Sequence, residues 1–280
     1  MSIFFPNLAK QFIQYDKAGV VVIPVPYEKT TSHGKGTING PGAILEASDY
    51  LEFYDEEFDG EPCTIGINTM ELVESLDYLK VAVKKVITDK KFPVILGGEH
   101  TISAAPVEVL KGQYKDLSVV QFDAHSDLRD EYEGTKLSHA CVMRRIFELN
   151  VPFVQIGIRA ISIEERDFLK KEGLGPPFYA HEIHDSDGWM DKAISRLSKN
   201  VYLTFDVDAF DPSIMPGTGT PEPGGMNWYQ VTKFFEKLTE KRNVVGADFV
   251  EVAPREGETI SEYTTAKLIY KFLGYRFKKS

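Results

Sequence analysis

The stretch Phe122-Asp123-Ala124-His125-Ser126-Asp127 decides how this chain is read. It continues the apolar run Leu117-Ser118-Val119-Val120, which has the composition of a buried β-strand. If the strand extends through it, period-two geometry sends Asp123, His125 and Asp127 to one side. A second alternation, Asp206-Val207-Asp208, closes the strand-like Val201-Tyr202-Leu203-Thr204-Phe205, and His100 closes the run that starts at Pro93. Four carboxylates and two imidazoles thus stand at the C-terminal ends of apolar strands. In open α/β sheets that edge is where ligands bind. The pattern predicts a metal site.

Outward from that stretch, strand-like runs alternate with helix-period segments. Gly19–Val25 opens the series, and a Gly- and Thr-rich loop leads to Gly40-Pro41, where proline suits a first helical turn. Amphipathic spacing predicts helices over 78–90, 101–110, 138–149, 161–171, 188–197, 228–241 and 261–272. Strands are expected over 151–158, 177–180 and 244–251 as well as at the three candidate ligand positions. Repeated β-then-α order implies right-handed crossovers and a mostly parallel sheet covered on both faces. The expectation is an α/β protein, a three-layer α/β/α sandwich, with residues 1–280 as a single domain.

A solvated strand end could explain one DxHxD triplet. It explains Asp206, Asp208 and His100 poorly, because carboxylates buried together need cations to neutralise them. Imidazole and carboxylate donors without a thiolate favour a fairly hard divalent ion such as Mn²⁺. Six ligands exceed the three protein ligands of a usual catalytic zinc, so two ions per subunit are expected. Such a pair lowers the pKa of bridging water and makes hydroxide available near neutral pH, which predicts a hydrolase.

The net charge of −10, with no basic stripe, argues against a nucleic-acid surface and is compatible with a small cationic substrate. No apolar run reaches membrane-spanning length, and no secretory leader is recognisable. Two cysteines, Cys63 and Cys141, are too few for a disulfide framework. A cytoplasmic protein is expected.

Six ordered blocks carry a family resemblance: Gly97-Gly98-Glu99-His100-Thr101-Ile102, Phe122–Leu128, Ser138-His139-Ala140, Phe205–Pro212, Pro216–Gly225 and Val250-Glu251-Val252-Ala253-Pro254. With them the chain resembles the ureohydrolase family of arginase and agmatinase, and within it the agmatinase branch. The resemblance implies an arginase/deacetylase-like fold and assembly as a homotrimer or homohexamer. It implies one manganese ion on His100, Asp123, Asp127 and Asp206, and a second on His125, Asp123, Asp206 and Asp208. His139 matches the family's proton shuttle, and Glu251 the carboxylate that pairs with the substrate guanidinium. Asp127, beside the hydroxide, could accept or relay its proton. The implied reaction is manganese-dependent hydrolysis of agmatine to putrescine and urea by a metal-bridging hydroxide, a step of polyamine biosynthesis.

Glu251 suits a planar cation through paired charge-assisted hydrogen bonds, and His139 suits proton transfer to a leaving nitrogen near neutral pH. The long Pro/Gly segment Pro212–Gly225 is expected to wall the site. Asp130, Glu131 and Glu133 follow the metal motif and are expected at the pocket mouth, where acidity suits an amine tail. Leu45 departs from the arginine that many agmatinases carry there, which bears on packing or assembly more than on chemistry. The alternatives are amidinohydrolases acting on aminopropylagmatine, guanidinobutyrate or arginine. A zinc deacetylase of related fold is disfavoured by the full ligand set. A non-enzyme reading, a metal- or guanidinium-binding regulatory protein, is disfavoured because no ligand or shuttle position is lost.

Overall fold

In the computed structural model, which describes residues 3–278, the chain runs α1 (Lys10–Ile13), β1 (Val20–Val25), α2 (Gly40–Ala47), β2 (Ile67–Thr69), α3 (Leu76–Thr88), β3 (Phe92–Gly97), α4 (Ala104–Gln113), β4 (Leu117–Phe122), α5 (Val142–Glu148), β5 (Phe153–Ile158), α6 (Ile163–Lys171), β6 (Phe178–Tyr179), α7 (Ala180–Ile183), α8 (Gly188–Ser195), β7 (Asn200–Asp206), α9 (Trp228–Lys241), β8 (Asn243–Val250) and α10 (Ile260–Phe277). The strands form one eight-stranded sheet in the order β2-β1-β3-β8-β7-β4-β5-β6. Every strand pair in it is parallel.

Period-two alternation splits the sheet into two buried faces. Val20, Val22, Val94, Leu96, Val120, Phe122, Leu203 and Phe205 pack with α2, α8, α9 and α10. Their neighbours Val21, Ile23, Ile95, Val119 and Tyr202 pack with α3, α4, α5 and α6 on the opposite side. The helices are built for this. In α9 the buried positions Val231, Phe234, Phe235 and Leu238 recur at helical spacing, and Asn227 with Gln230 forms a capping box at its start. The architecture is the expected three-layer α/β/α sandwich.

Strand order positions the site. The chain lays down β3, then β4 three places away, and returns at the end to insert β7 and β8 between them. The C-terminal ends of β3, β8, β7 and β4 therefore stand side by side. Two glycines permit the close approach at β3. A Cβ on Gly98 would fall 2.1 Å from the Tyr27 carbonyl oxygen, and one on Gly97 would fall 2.7 Å from Val250 Cγ1.

Two local expectations change. Strand β4 stops at Phe122; Asp123–Asp127 leaves the ladder, with a single parallel bridge from His125 to Ala160, and Asp127 takes the left-handed conformation (φ 52°). Likewise β7 ends at Asp206, and Val207–Ala209 form a 3₁₀ turn capped by the Asp206 side chain. The short β2 and α1 were not anticipated, since three or four residues carry too little periodicity to read. Leu45 is buried between α2 and the sheet in the same apolar layer as α10, which gives a packing reason for an apolar residue there.

Candidate metal centre

The ligands converge at the strand ends, where backbone N–H groups hold the Asp123, Asp206 and Asp208 carboxylates. The Asp123 carboxylate accepts from the His125 N–H (2.6 Å) and from Gln121 Nε2 (2.7 Å). Asp206 accepts from the Asp208 N–H (2.9 Å), and Asp208 accepts from the Ala124 N–H (2.9 Å), which ties the end of β7 to the end of β4. The Asp127 carbonyl accepts from the Met143 and Arg144 N–H groups at the start of α5. These bonds stabilise the left-handed conformation, which a non-glycine residue adopts only at a cost.

The result is two donor clusters. His100, Asp123 and Asp206 form one, and Asp123, His125 and Asp208 the other, so Asp123 belongs to both. His100 Nδ1 lies 3.1 Å from Asp123 Oδ2, 3.1 Å from Asp127 Oδ2 and 3.5 Å from Asp206 Oδ2. His125 Nδ1 lies 2.9 Å from Asp208 Oδ2. All six sequence-predicted ligands are thus brought together. Five are buried, and His125 is half-buried.

These residues fit divalent cations. His100 Nδ1 is buried yet makes no hydrogen bond, although three carboxylates surround it. Its other nitrogen, Nε2, is 2.8 Å from Thr204 Oγ1, which in turn donates to the buried Asp248 carboxylate at 2.6 Å. In the neutral ring, with Nε2–H pointed at Thr204, Nδ1 would present a lone pair to a cation among the carboxylates, the usual arrangement of a metal-binding imidazole. Neither cysteine enters the cluster.

Charge crowding shows in the protonation equilibria of the metal-free protein. Burial and the Asp123 charge push Asp127 up to about 7. Burial, with Asp208 and Asp123, holds Asp206 well above the ordinary carboxylate range. Burial opposes charge on both histidines, but Asp123 and Asp127 hold His100 well above its ordinary value, and Asp208 and Asp123 push His125 up to about 12. Asp123 goes the other way: burial raises it, but His100 and His125 outweigh that and hold it low.

A pH dependence follows. For Asp127 and Asp206 the folded protein holds protons that the unfolded chain releases near pH 4, and for His100 and His125 the same holds above about 6.5. Wherever the native state binds more protons, stability falls as pH rises. Chelator-treated protein should therefore have a lower urea midpoint at pH 8 than at pH 5.5, and added divalent metal should stabilise it more at pH 8, because binding releases those protons. A midpoint that rises over this interval would show that the cluster is not proton-loaded.

A cavity of about 560 Å³ opens over the centre, and His100, His125, Asp127, Asp206, Asp208, His139 and Glu251 line it. Glu251 follows β8 with φ 66°. Its N–H donates to the Gly98 carbonyl (2.8 Å) and its Oε1 accepts from the His100 N–H (2.7 Å). Burial, opposed in part by that hydrogen bond and by His100, pushes its carboxyl up to about 8. His139 opens a 3₁₀ turn (His139–Cys141) before α5, and burial lowers its pKa below the ordinary value. It stands outside both donor clusters.

The acidic segment after the metal motif is not where the sequence suggested. Asp130 pairs with Arg145 (2.9 Å) and Lys136 (3.3 Å), and neither it nor Glu131 nor Glu133 lines the cavity. The turn presents Arg129 and Tyr132 instead, with the Arg129 guanidinium 5.3 Å from the Tyr132 ring centre. Acidity comes from Glu165 and Glu222, which sequence reading missed. Glu165 accepts from the Leu128 N–H (2.8 Å) and the Ser162 N–H (2.8 Å), so both its oxygens are engaged. Arg159, also missed, donates to the carbonyls of Asp208 (2.6 Å) and Glu222 (2.7 Å), locking the Pro/Gly segment onto the end of β7. Asp211 completes that wall by accepting from the Gly224 N–H at 2.9 Å. A capping-box pattern at Ser162–Glu165 was the one legible signal among these.

Comparison with known proteins places this geometry. The profile of the Arginase family matches residues 18–274. The chain is 44% identical to an N(1)-aminopropylagmatine ureohydrolase of Synechocystis sp., over 97% of this chain and 95% of that protein. It is 36% identical to an agmatinase of Pyrococcus horikoshii, over 92% of each. Among solved structures it is similar to an agmatine ureohydrolase of Thermoplasma volcanium, with a TM-score of 0.80, 32% identity and coverage of 97% of this chain and 96% of that one.

Proposed function

The chain belongs to the Arginase family, on its agmatinase side, and is a hydrolase of guanidino compounds; from that premise we propose that it releases urea from a guanidino polyamine in a manganese-dependent reaction. The observation that carries this reading is the pair of donor clusters sharing Asp123, with Glu251 and His139 lining the same cavity. Agmatine, giving putrescine, is the substrate expected from the sequence. N(1)-aminopropylagmatine is a second reading, favoured by the 44% identical relative of that name.

His100, Asp123, Asp127 and Asp206 would hold one ion, and His125, Asp123, Asp206 and Asp208 the other; Asp206 Oδ2 supports the first, and its sharing with the second rests on the family pattern. The all-imidazole-and-carboxylate donor set supports manganese. When bound, the ions supply positive charge that lowers the pKa of a coordinated water and so provides a nucleophile near neutral pH.

The remaining work falls to side chains of this protein. Glu251, with Oε1 fixed by the His100 N–H, presents Oε2 for a guanidinium N–H. Burial has pushed its carboxyl up, and a substrate cation pulls it back into the charged form, so binding and ionisation reinforce each other. His139 is kept neutral by burial and can take a proton and return it to the leaving nitrogen. Asp127, among the residues that would hold the first ion, could accept or relay the proton of the attacking water.

One domain over 1–280 is supported by the single family match and the single sheet. Two buried, unpaired cysteines suit a reducing cytoplasm. Among the described residues no helix is long and apolar enough to cross a membrane. Assembly as a homotrimer or homohexamer rests on the family resemblance.

A substrate panel tests the proposal. Agmatine and N(1)-aminopropylagmatine should exceed arginine in kcat/KM by at least about a hundredfold with saturating manganese. An added carboxylate that enters the cavity without a cationic partner is partly desolvated, which costs several kcal/mol, and each tenfold is about 1.4 kcal/mol. Guanidinobutyrate, which ends in a carboxylate, should behave like arginine. Whichever polyamine has the higher kcat/KM decides between the two readings. Equal rates for arginine and agmatine would remove the polyamine assignment and leave guanidino hydrolysis in place.

A further inference from the structure

We infer that Glu99, acting through the Thr30 hydroxyl, sets the tautomer of His139 and leaves its Nε2 as the proton-accepting nitrogen. The inference rests on the proton-transfer role proposed above for His139. Glu99 is fully buried between β3 and the loop after β1, and its four donors account for both oxygens. Oε2 accepts from the N–H groups of Lys29 (2.6 Å) and Thr30 (2.7 Å), and Oε1 accepts from the hydroxyls of Thr30 (2.8 Å) and Thr101 (2.7 Å). A carboxylate so engaged is an acceptor only.

The Thr30 hydroxyl has one hydrogen. Its bond to the carboxylate is charge-assisted and is the shorter of its contacts, so the hydrogen goes to Glu99. Towards His139 the Thr30 oxygen can then only accept. It accepts from the His139 backbone N–H at 3.1 Å and faces Nδ1 at 3.3 Å. Nδ1 must carry a hydrogen to use that contact, and in a neutral ring Nε2 is then bare. Nε2 lies 3.4 Å from Ser32 Oγ, another residue of the cavity wall. A proton can enter and leave at Nε2 while Nδ1–H stays anchored. The logic matches that of a buried carboxylate orienting a catalytic imidazole, with a hydroxyl placed between them. Glu99 and Thr30 are positioning residues.

Ser138 Oγ, 3.5 Å from Nδ1, is the competing partner; as a donor it would impose the opposite tautomer. The longer distance disfavours it.

Thr30→Val removes the hydroxyl at nearly constant shape, Thr30→Ser restores it, and Ser138→Ala removes the competitor. The ring state is read by nitrogen NMR of [¹⁵N]histidine-labelled, chelator-treated protein above the pH at which His139 protonates, with the His139 signal identified by its loss in His139→Asn. Wild type, Thr30→Ser and Ser138→Ala should show protonated Nδ1 and bare Nε2, whereas Thr30→Val should shift towards the other tautomer. With manganese bound, Thr30→Val should lower kcat on agmatine about 10- to 100-fold, part of the usual contribution of a positioned acid or base. KM and metal content should stay within about twofold of wild type, and Thr30→Ser should recover most of kcat. A wild-type ring protonated on Nε2, a Thr30→Val ring unchanged from wild type, or a tautomer change in Ser138→Ala overturns the inference. Full activity in His139→Asn would instead overturn the role assigned to His139 itself.

Discussion

Asp206→Asn is expected to abolish urea release and to lower bound manganese per subunit. Asp206 closes β7 with one oxygen holding the Asp208 N–H and the other 3.5 Å from the His100 nitrogen that lacks a hydrogen bond. The amide keeps the first contact, so the turn that places Asp208 should survive. It removes one negative charge from a buried cluster in which carboxylates are the counter-charge for the cations. Metal-ion catalysis is worth several kcal/mol of transition-state stabilisation, so a loss of at least about a thousandfold is expected. The same change should leave the chelator-treated protein equally or more stable above neutral pH, because burial and the neighbouring Asp208 and Asp123 charges make an ionised Asp206 unfavourable there. Metal analysis, urea release and urea unfolding of the two proteins measure all three. Full metal loading with wild-type turnover would take Asp206 out of the centre.

His139→Asn should keep both metals and slow hydrolysis by about one hundred- to ten thousandfold, the usual contribution of a positioned acid or base. The histidine lies outside both donor clusters, so its loss leaves the ligands intact. Asparagine keeps the backbone N–H bond to Thr30, and it cannot carry a proton between water and a leaving nitrogen. The alkaline limb of the rate should stay and the acidic limb set by His139 should vanish. Burial lowers the pKa of His139, so in wild type that limb should lie below the ordinary histidine value. Loss of manganese from the variant would make His139 a ligand and reverse the division of roles.

The residue types of the candidate site are legible in the sequence, and their geometry is not. His100, Asp123, His125, Asp127, Asp206 and Asp208 are legible because carboxylates and imidazoles stand out against apolar strand ends. The convergence of Asp123, His125 and Asp127 was expected from strand alternation, and the structure reaches it by another route, beyond the end of β4 and with Asp127 in the left-handed region. The acidic Asp130–Glu133 segment shows the limit of sequence adjacency. Three residues beyond Asp127 the chain has turned outward, and Asp130 has found Arg145, fifteen residues along on α5.

Local pattern determined the alternation of strands and helices, the parallel sheet that this alternation requires, and the kinds of ligand at the strand ends. Those follow from period-two and period-3.6 burial, which neighbouring residues specify among themselves. Strand order was decided only by tertiary packing, which inserts β7 and β8 between β3 and β4 and brings the Glu251 carboxylate within 2.7 Å of the His100 N–H. It also carried the Thr30 loop onto Glu99 and His139, a contact spanning 109 residues that no local pattern announces. An apolar strand shows that it is buried but does not show which neighbour buries it, because that choice is made by the summed packing of both faces.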